Sequence, residues 1–218
     1  MNPYFFIAAA GAYLLGSIPT AVWWGRIFFG VDVREHGSGN AGATNTFRVL
    51  GKKAGIPVLL FDVAKGVAAV DLMYIIPASQ PGTAEFSVMQ IVLALAAMLG
   101  HIYSVFLGFK GGKGIATGLG VLIALHPPAA LSCLLVFTVL LIITKYVSLS
   151  SVITGIIFPV MLVFVFRNIL LPLNIFSVVV AVLVLYTHRS NLRRLWKGEE
   201  NRTYLFGKRG SKSGKEGS

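Results

Sequence analysis

Residues 86–107 read FSVMQIVLALAAMLGHIYSVFL, an apolar run without Asp, Glu, Lys or Arg. A helix that crosses the hydrocarbon core of a bilayer needs roughly 20 such residues, within a range of about 17–25. Further apolar runs lie on both sides of this one, at residues 4–24, 55–76, 114–125, 129–143, 152–166 and 169–186. We therefore expect an all-α, polytopic integral membrane helix bundle with about seven transmembrane helices.

The composition agrees with a membrane protein. Of the 218 residues, 56% are hydrophobic and 12% are charged, which is about half the charged share of an ordinary soluble domain. The net charge is +11, but the basic residues flank the apolar runs and do not form a single patch, so nucleic acid is not an expected partner. The one cysteine, Cys133, lies within an apolar run and is interpreted as a packing residue.

The distribution of Lys and Arg along the sequence predicts the orientation of the helices in the membrane. In a seven-span arrangement all but two of the 19 Lys and Arg residues fall on one side, the exceptions being Lys65 and Arg167. Because cytoplasmic loops carry the excess of Lys and Arg, we expect the N-terminus outside and the C-terminus in the cytoplasm. The short runs in the middle of the chain leave a five-span alternative open, in which these segments are re-entrant. We expect residues 1–206 to form one transmembrane domain, and 207–218 to form a disordered basic tail.

Residues 37–48 read GSGNAGATNTFR and form the first of three polar segments. Glycines allow backbone N–H groups to turn toward a ligand, and successive N–H groups form a concavity that binds anions. Hydroxyl and amide side chains add donors, and the Arg48 guanidinium is suited to phosphate. No Gly-Lys-Ser/Thr follows, so ATP binding is not indicated. A flexible glycine loop is the plainer alternative.

The second segment, GFKGGKGIAT at residues 108–117, follows Gly100-His101. Its two lysines and its glycines precede an apolar helix, which suggests an anion site at a helix amino end. The third segment, HRSNLRRLWKGEE at residues 188–200, directly follows the last apolar run. His188 and Asn191 share a face of a helix there. The plainer alternatives are a positively charged loop at the membrane border and an interfacial helix that binds anionic lipid.

Patterns of other chemistries are absent from the sequence. It has no Gly-x-Ser-x-Gly elbow, no His-x4-Asp arrangement and no cysteine near a histidine, and its acids do not have the spacing of metal ligands. We therefore expect anion binding without a protein nucleophile, a metal ion or a cofactor.

In order and spacing, the three segments resemble the signature motifs of the bacterial acyl-phosphate:glycerol-3-phosphate acyltransferases, the PlsY family. One departure lies at residues 102–104, where this chain has Ile-Tyr-Ser and the family usually has an aromatic residue and a proline. The resemblance implies a seven-helix enzyme of the bacterial inner membrane. The sidedness of Lys and Arg predicts that the three segments, and with them the active site, lie on its cytoplasmic face.

By the same resemblance, the enzyme transfers a fatty acyl group from acyl phosphate to the 1-hydroxyl of sn-glycerol 3-phosphate. The products are 1-acyl-glycerol 3-phosphate (lysophosphatidic acid) and inorganic phosphate, in the first step of phospholipid synthesis. The expected partners are these two substrates and membrane lipids, with no obligate protein partner.

Residue roles follow from the motifs that match and, for Ser148 and Ser151, from their place in the inner loop after Lys145. The residues expected to act in catalysis are Ser38, Asn40, Thr44, Asn45, Lys113 and His188. The residues expected to bind substrate are Gly39, Gly42, Ala43, Arg48, His101, Lys110, Gly112, Ser148, Ser151, Asn191 and Glu200. In this hypothesis the first segment holds the acyl phosphate and the other two, with Arg48, hold glycerol 3-phosphate. The departing phosphate takes the hydroxyl proton without a covalent intermediate, and His101 is the rival base.

Two other classes of protein fit parts of the sequence. A small membrane transporter of a phosphorylated solute is compatible with the spans, the glycines and the charged residues Asp62 and Lys65 inside the second run, which form either an ion pair or part of a site. A transporter, however, usually binds its solute near the midplane between repeats, and no repeat is visible. A lipid-binding scaffold needs the basic tail but not the glycine loops.

Overall fold

The computed structural model describes residues 3–77 and 80–203, and in this part of the chain all regular structure is helical. The all-α prediction is confirmed there, whereas the predicted disordered tail at 207–218 lies outside the described residues. The α-helices of the described part are α1 (Pro3–Ser17), α2 (Thr20–Phe29), α3 (Ala43–Leu50), α4 (Lys52–Asp71), α5 (Ala84–Ile102), α6 (Ile115–Leu125), α7 (Pro127–Thr144), α8 (Val147–Val160), α9 (Leu171–Thr187) and α10 (Arg189–Trp196).

Each of the seven apolar runs overlaps one of the longer helices, and these are α1, α4, α5, α6, α7, α8 and α9. Within the described residues, three helical stretches are long and apolar enough to cross a membrane. They are Ala84–Leu107, Pro127–Thr144 and Val147–Val165. The number rises to five if two bent pairs, α1 with α2 and α9 with α10, each count as one span. Helix α6 is apolar but shorter, and α4 carries charges along its length.

The first bent pair breaks at Pro19, where α1 and α2 meet at 45°. A proline cannot donate its backbone nitrogen and disturbs the preceding turn, so carbonyls there need other donors. The Ser17 carbonyl accepts from the Ser104 hydroxyl at 2.5 Å, and the Ile18 carbonyl accepts from Lys65 Nζ at 2.8 Å. The break is therefore held by side chains from two other parts of the chain.

Close helix packing fixes the centre of the bundle. Helix α1 packs along α5, and α4 packs along α6, with glycine at the crossing points. A Cβ on Gly120 would lie 2.0 Å from the Val63 carbonyl oxygen, and a Cβ on Gly66 would lie 2.3 Å from that of Thr117. Small residues allow two backbones to approach in this way, which is common between membrane helices.

The three polar segments lie at one end of the bundle. Lys113, just before α6, bonds to Asn191 of α10. Ser148, in the first turn of α8, bonds to Glu200 beyond α10. The backbone nitrogen of Thr203 donates to the Lys145 carbonyl, between α7 and α8, at 2.7 Å. The carboxyl ends of α7 and α9 and the amino ends of α6 and α8 therefore meet in one place.

Candidate functional site

Asn45 organises the glycine loop between α2 and α3. Its side-chain oxygen accepts from the backbone nitrogen of Ser38 at 2.8 Å and from the Ser38 hydroxyl at 3.1 Å. Its side-chain nitrogen donates to the carbonyls of Val33 at 2.6 Å and His36 at 3.1 Å. The side chain is buried, and both ends of its amide are engaged within the chain. Asn45 thus braces the loop, and its expected catalytic role stays a prediction.

Two further features fix the same loop. Gly37 has a φ of +64°, in the left-handed region that favours glycine, and a Cβ there would lie 2.5 Å from Asn45 Oδ1. Before the loop, Asp32 accepts hydrogen bonds from Arg26 and Arg34. The hydrogen bond from the Arg34 side chain is the main reason that the pKa of Asp32 lies well below its usual range, and burial opposes it.

The loop leaves several donors available to a ligand. Thr44 is exposed and Asn40 is half-buried, whereas Ser38 is exposed but already donates its hydroxyl to Asn45. Helix α3 begins at Ala43, and no side chain caps its amino end, where the first backbone N–H groups of a helix attract anions. A Cβ on Gly42 would lie 3.0 Å from Asn40 Oδ1, so Asn40 lies beside this amino end.

A second group of side chains, the Lys113 cluster, comes from four separate parts of the chain. Its members are Lys113, Ser148, Asn191, Arg194 and Glu200. Lys113 Nζ donates to Asn191 Oδ1, and Asn191 Nδ2 donates to Glu200 Oε1 at 2.7 Å. The same carboxylate oxygen accepts from the Ser148 hydroxyl at 2.9 Å, and Oε2 accepts from Arg194 Nε at 2.8 Å. Because Glu200 is bonded to three donors, it orients the donors of the cluster, and its negative charge makes it a poor direct ligand for a phosphate.

The electrostatics of the cluster favour an anion. Burial lowers the pKa of Lys113 to about 8, while the Glu200 charge raises it and the Arg194 and Arg48 charges lower it. Burial raises the pKa of Glu200, but hydrogen bonds from Asn191, Arg194 and Ser148 outweigh burial and lower that pKa. Two cationic side chains, Arg194 and Arg48, therefore act on Lys113, and Glu200 supplies an opposing negative charge.

Arg48 connects the glycine loop with this cluster. Its charge acts on Lys113, and it lines a cavity of about 350 Å³ together with His36, Gly37, Val49 and Asn201. Sequence reasoning placed neither His36 nor Asn201 in the site. Both adjoin motif residues, Gly37 and Glu200, which is the only signal the sequence offered, because their meeting across the chain is a tertiary contact.

The two histidines of the expected site, His188 and His101, have different surroundings. His188 is buried, and its Nδ1 lies 2.9 Å from the Val184 carbonyl oxygen. A carbonyl can only accept, so Nδ1 carries the proton, and Nε2 is the nitrogen that can accept. His101 is also buried, and its Nδ1 lies 3.0 Å from the Thr117 hydroxyl.

The glycine segment before Lys113 packs directly on His101. The backbone nitrogen of Gly112 donates to the His101 carbonyl at 3.0 Å, and a Cβ on Gly112 would lie 2.2 Å from His101 Nε2. His101 therefore holds the segment that presents Lys113. The substrate-binding role expected of His101 stays a prediction.

Asp62 and Lys65 form an ion pair inside the bundle. Lys65 Nζ lies 2.7 Å from Asp62 Oδ1, and the Thr20 hydroxyl donates to the same oxygen at 3.0 Å. His101 Nδ1 lies 3.8 Å from that oxygen. The pair thus links the break between α1 and α2 with the histidine that supports the Lys113 segment.

Lys110 and Ser151 are expected site residues that make no side-chain hydrogen bond to this cluster in the described part of the chain. Lys110 is exposed, and the Ser151 hydroxyl donates to the Val147 carbonyl of its own helix at 2.8 Å. Their roles as ligands stay predictions, whereas Ser148, Asn191, Lys113 and Glu200 are brought together as described above.

Comparison with known proteins gives one consistent result. A family model described as glycerol-3-phosphate acyltransferase matches residues 6–198. A glycerol-3-phosphate acyltransferase of Chlorobaculum parvum is 41% identical, over 91% of this chain and 95% of its own. The glycerol-3-phosphate acyltransferase of Macrococcus caseolyticus is 45% identical, and the match covers 87% of this chain and 92% of that protein. The crystal structure of PlsY, an integral membrane glycerol 3-phosphate acyltransferase, in its glycerol 3-phosphate form, has a TM-score of 0.79 and 37% identity, and the match covers 94% of this chain and 96% of PlsY.

Proposed function

Because this chain belongs to the glycerol-3-phosphate acyltransferase family, we propose that its acyl donor is an acyl phosphate and its acceptor is the 1-hydroxyl of sn-glycerol 3-phosphate. The chain is an integral membrane acyltransferase of phospholipid synthesis. The proposed products are 1-acyl-glycerol 3-phosphate and inorganic phosphate.

The charge balance of the Lys113 cluster is the observation that carries the proposal. The charges of Arg194 and Arg48 lower the pKa of Lys113, and the Glu200 charge raises it. A phosphate monoester carries about −1.5 to −2 charges at neutral pH, so a bound glycerol 3-phosphate supplies negative charge that these cationic side chains attract. Glu200 holds Asn191 and Ser148 in place, and both lie beside the proposed phosphate position. His188 lies there too, since burial and then the Lys113 charge lower the pKa of His188.

The glycine loop is the proposed site of the acyl phosphate. Asn40 and Thr44 supply amide and hydroxyl donors, and Gly42 and Ala43 supply backbone N–H groups near the uncapped amino end of α3. Gly39 and Ser38 shape the loop, since the Gly39 N–H donates to the His36 carbonyl at 3.1 Å and the Ser38 hydroxyl donates to Asn45. Asn45 supports the proposal indirectly, since it holds this loop in one shape. The acyl chain lies among the apolar helices.

The proposed reaction needs no covalent enzyme intermediate. The 1-hydroxyl oxygen attacks the acyl carbonyl carbon, the bond between that carbon and the phosphate oxygen breaks, and the departing phosphate takes the hydroxyl proton. Acyl phosphate is already activated, so positioning of the two substrates and stabilisation of the developing negative charge by the cationic side chains supply the rate. The engagement of His101 with Thr117 supports a bracing role over a role as base.

The proposal extends to the arrangement in the membrane. Seven spans, with the N-terminus outside and the C-terminus in the cytoplasm, place the site on the cytoplasmic face of the bacterial inner membrane, where glycerol 3-phosphate is available. Residues 1–206 form the transmembrane domain, and no obligate protein partner is required.

Purified protein in nanodiscs tests the donor. The protein is given glycerol 3-phosphate with acyl phosphate or with an acyl thioester, and phosphate release and lysophosphatidic acid are measured. We expect product and phosphate in equal amounts with acyl phosphate and no product with the thioester. Product from the thioester alone contradicts the proposed donor. Uptake of glycerol 3-phosphate into vesicles without product favours the transporter.

The role of His101 has its own test. If His101 only braces the Lys113 segment, His101→Ala and Thr117→Val lower turnover by similar amounts, because both remove the same hydrogen bond. A loss beyond about 10⁴-fold for His101→Ala, the upper end for removal of a general base, with the fold intact and Thr117→Val nearly normal, contradicts the phosphate-assisted reaction.

A further inference from the structure

Helix α10 has one face inside the protein and one face outside it. On the inner face Asn191 is buried, Leu192 packs against the hydrophobic core, and Arg194 holds Glu200 at 2.8 Å. The inner face therefore belongs to the Lys113 cluster. Any contact that shifts α10 shifts the donors of this cluster with it.

The outer face carries a row of cations. Arg189, Arg193 and Lys197 are spaced by four residues, so they follow one another along the same side of the helix axis, and all three are exposed. Trp196 lies next to this row with 94% of its surface exposed. Within residues 3–77 and 80–203, no acid pairs with Arg193 or Lys197.

The row begins at the border between membrane and water. Helix α10 follows the apolar α9 after a bend of 57°. The Arg189 guanidinium carbon lies 4.4 Å from the centre of the Tyr186 ring, and Tyr186 is exposed on the last turn of α9. Tyrosine and tryptophan are enriched at the level of the lipid headgroups, and anionic headgroups attract basic side chains that lie next to a membrane helix.

We propose that the outer row of α10, formed by Arg189, Arg193 and Lys197 with Trp196, binds the phosphate headgroups of anionic lipids in the surrounding bilayer. The positive row matches the negative headgroups, and the exposed indole of Trp196 inserts at their level. Because the inner face of α10 carries Asn191 and Arg194, this contact also positions the Lys113 cluster, and the anionic lipid content of the bilayer sets the activity.

Quenching of Trp196 tests the binding without reference to activity. The full chain is placed in nanodiscs of phosphatidylcholine with increasing brominated phosphatidylglycerol, and fluorescence is compared with that of Trp196→Phe to isolate the Trp196 signal. Each basic side chain near an anionic surface contributes roughly fivefold in affinity. We therefore expect Arg193→Gln with Lys197→Gln to weaken the phosphatidylglycerol dependence of quenching about 25-fold.

The matched control removes two charges elsewhere at the same end. Lys52 and Lys53 are exposed at the start of α4, and changing both to Gln is expected to leave Trp196 quenching unchanged. Equal quenching in the wild type and in the Arg193/Lys197 variant overturns the proposal. So does an equal loss in the Lys52/Lys53 variant, since the effect then comes from total charge and not from α10.

A second measurement tests the effect on activity and rests on the proposed function. At saturating glycerol 3-phosphate, we expect the wild type to be faster in phosphatidylglycerol than in phosphatidylcholine nanodiscs, and the Arg193/Lys197 variant to be equally fast in both. A variant that keeps the wild-type difference overturns the positioning role. If no acyl transfer is detected at all, the proposed function fails, and the quenching result still decides whether α10 binds anionic lipid.

Discussion

Lys113 carries the charge on which the proposed site most depends, since it is partly buried between Asn191 and the charges of Arg48 and Arg194. Removing a preorganised donor from developing negative charge typically costs about 10²–10³-fold in rate. We expect Lys113→Met to lower kcat/KM for glycerol 3-phosphate by this amount in the purified enzyme. Lys53→Met, at an exposed position at the same end of the bundle, is expected to leave kcat/KM unchanged. Comparable losses in both variants would point to a general effect of surface charge.

The pH dependence follows from the same side chain. Burial lowers the pKa of Lys113 to about 8, so the ammonium is present below this pH and is lost as the pH rises through it. We expect the KM for glycerol 3-phosphate to rise above pH 8, approaching about tenfold per pH unit if the charge is essential. Steady-state kinetics between neutral and alkaline pH measure this rise.

Lys113→Arg is the control for the pH dependence, because a guanidinium stays charged throughout this range. Its KM is expected to be flat up to a higher pH than that of the wild type, whatever its absolute value. An identical rise in the arginine variant would assign the pH dependence to another group.

Among the helices, the crossing of α4 and α6 has no room for a side chain at Gly120. A Cβ there would lie 2.0 Å from a backbone carbonyl, that of Val63, whereas a Cβ on Gly118 would meet only the flexible end of Met98, at 3.4 Å. Overpacking a tight contact typically costs about 1–3 kcal/mol. We expect Gly120→Ala to lower the thermal unfolding temperature in detergent and Gly118→Ala to leave it nearly unchanged. Equal temperatures for the two variants would show that the helices separate at little cost.

The Asp62–Lys65 pair ties α4 to the break between α1 and α2, since Lys65 also donates to the Ile18 carbonyl. Removing one member of a buried pair leaves an uncompensated charge and typically costs about 3–5 kcal/mol. We expect Asp62→Asn to be strongly destabilised and Asp62→Asn with Lys65→Met to recover part of the loss. The free energies of unfolding of Asp62→Asn, Lys65→Met and the double variant, measured in detergent, give the coupling energy between the two charges. Strict additivity would mean that the two charges act independently.

For the whole molecule, the number and direction of spans are open to direct measurement. With Cys133 changed to Ser, single cysteines replace the exposed residues Gln80, Pro128 and Glu199. Seven spans with the N-terminus outside predict that a membrane-impermeant thiol reagent labels Gln80→Cys and Pro128→Cys in intact cells, and Glu199→Cys only after the membrane is opened. If α6 and α7 form a re-entrant pair, Pro128→Cys is protected in both conditions.

The resemblance of the three polar segments to the acyltransferase motifs is confirmed by the family model and by the similarity to PlsY. The membrane helices could also be predicted from the sequence, because apolar runs and flanking charges are local properties of the chain. Each predicted run overlaps a helix. The breaks between helices could be predicted only in part. A proline inside an apolar run, such as Pro19, is a local signal for a break. Lys65 and Ser104, which donate to the carbonyls of Ile18 and Ser17 at this break, are far along the chain.

The sequence alone determined an all-helical membrane protein with three segments rich in glycine and in polar donors, because hydrophobicity, glycine content and donor type are properties of each segment by itself. Only the tertiary structure decided which donors meet and which serve as braces. Lys113 and Asn191 are 78 positions apart, and Ser148 and Glu200 are 52 positions apart. Whether such residues meet depends on how the helices pack. The same packing engages the amide of Asn45 and the ring of His101 within the protein, although by type both residues are good ligands for phosphate.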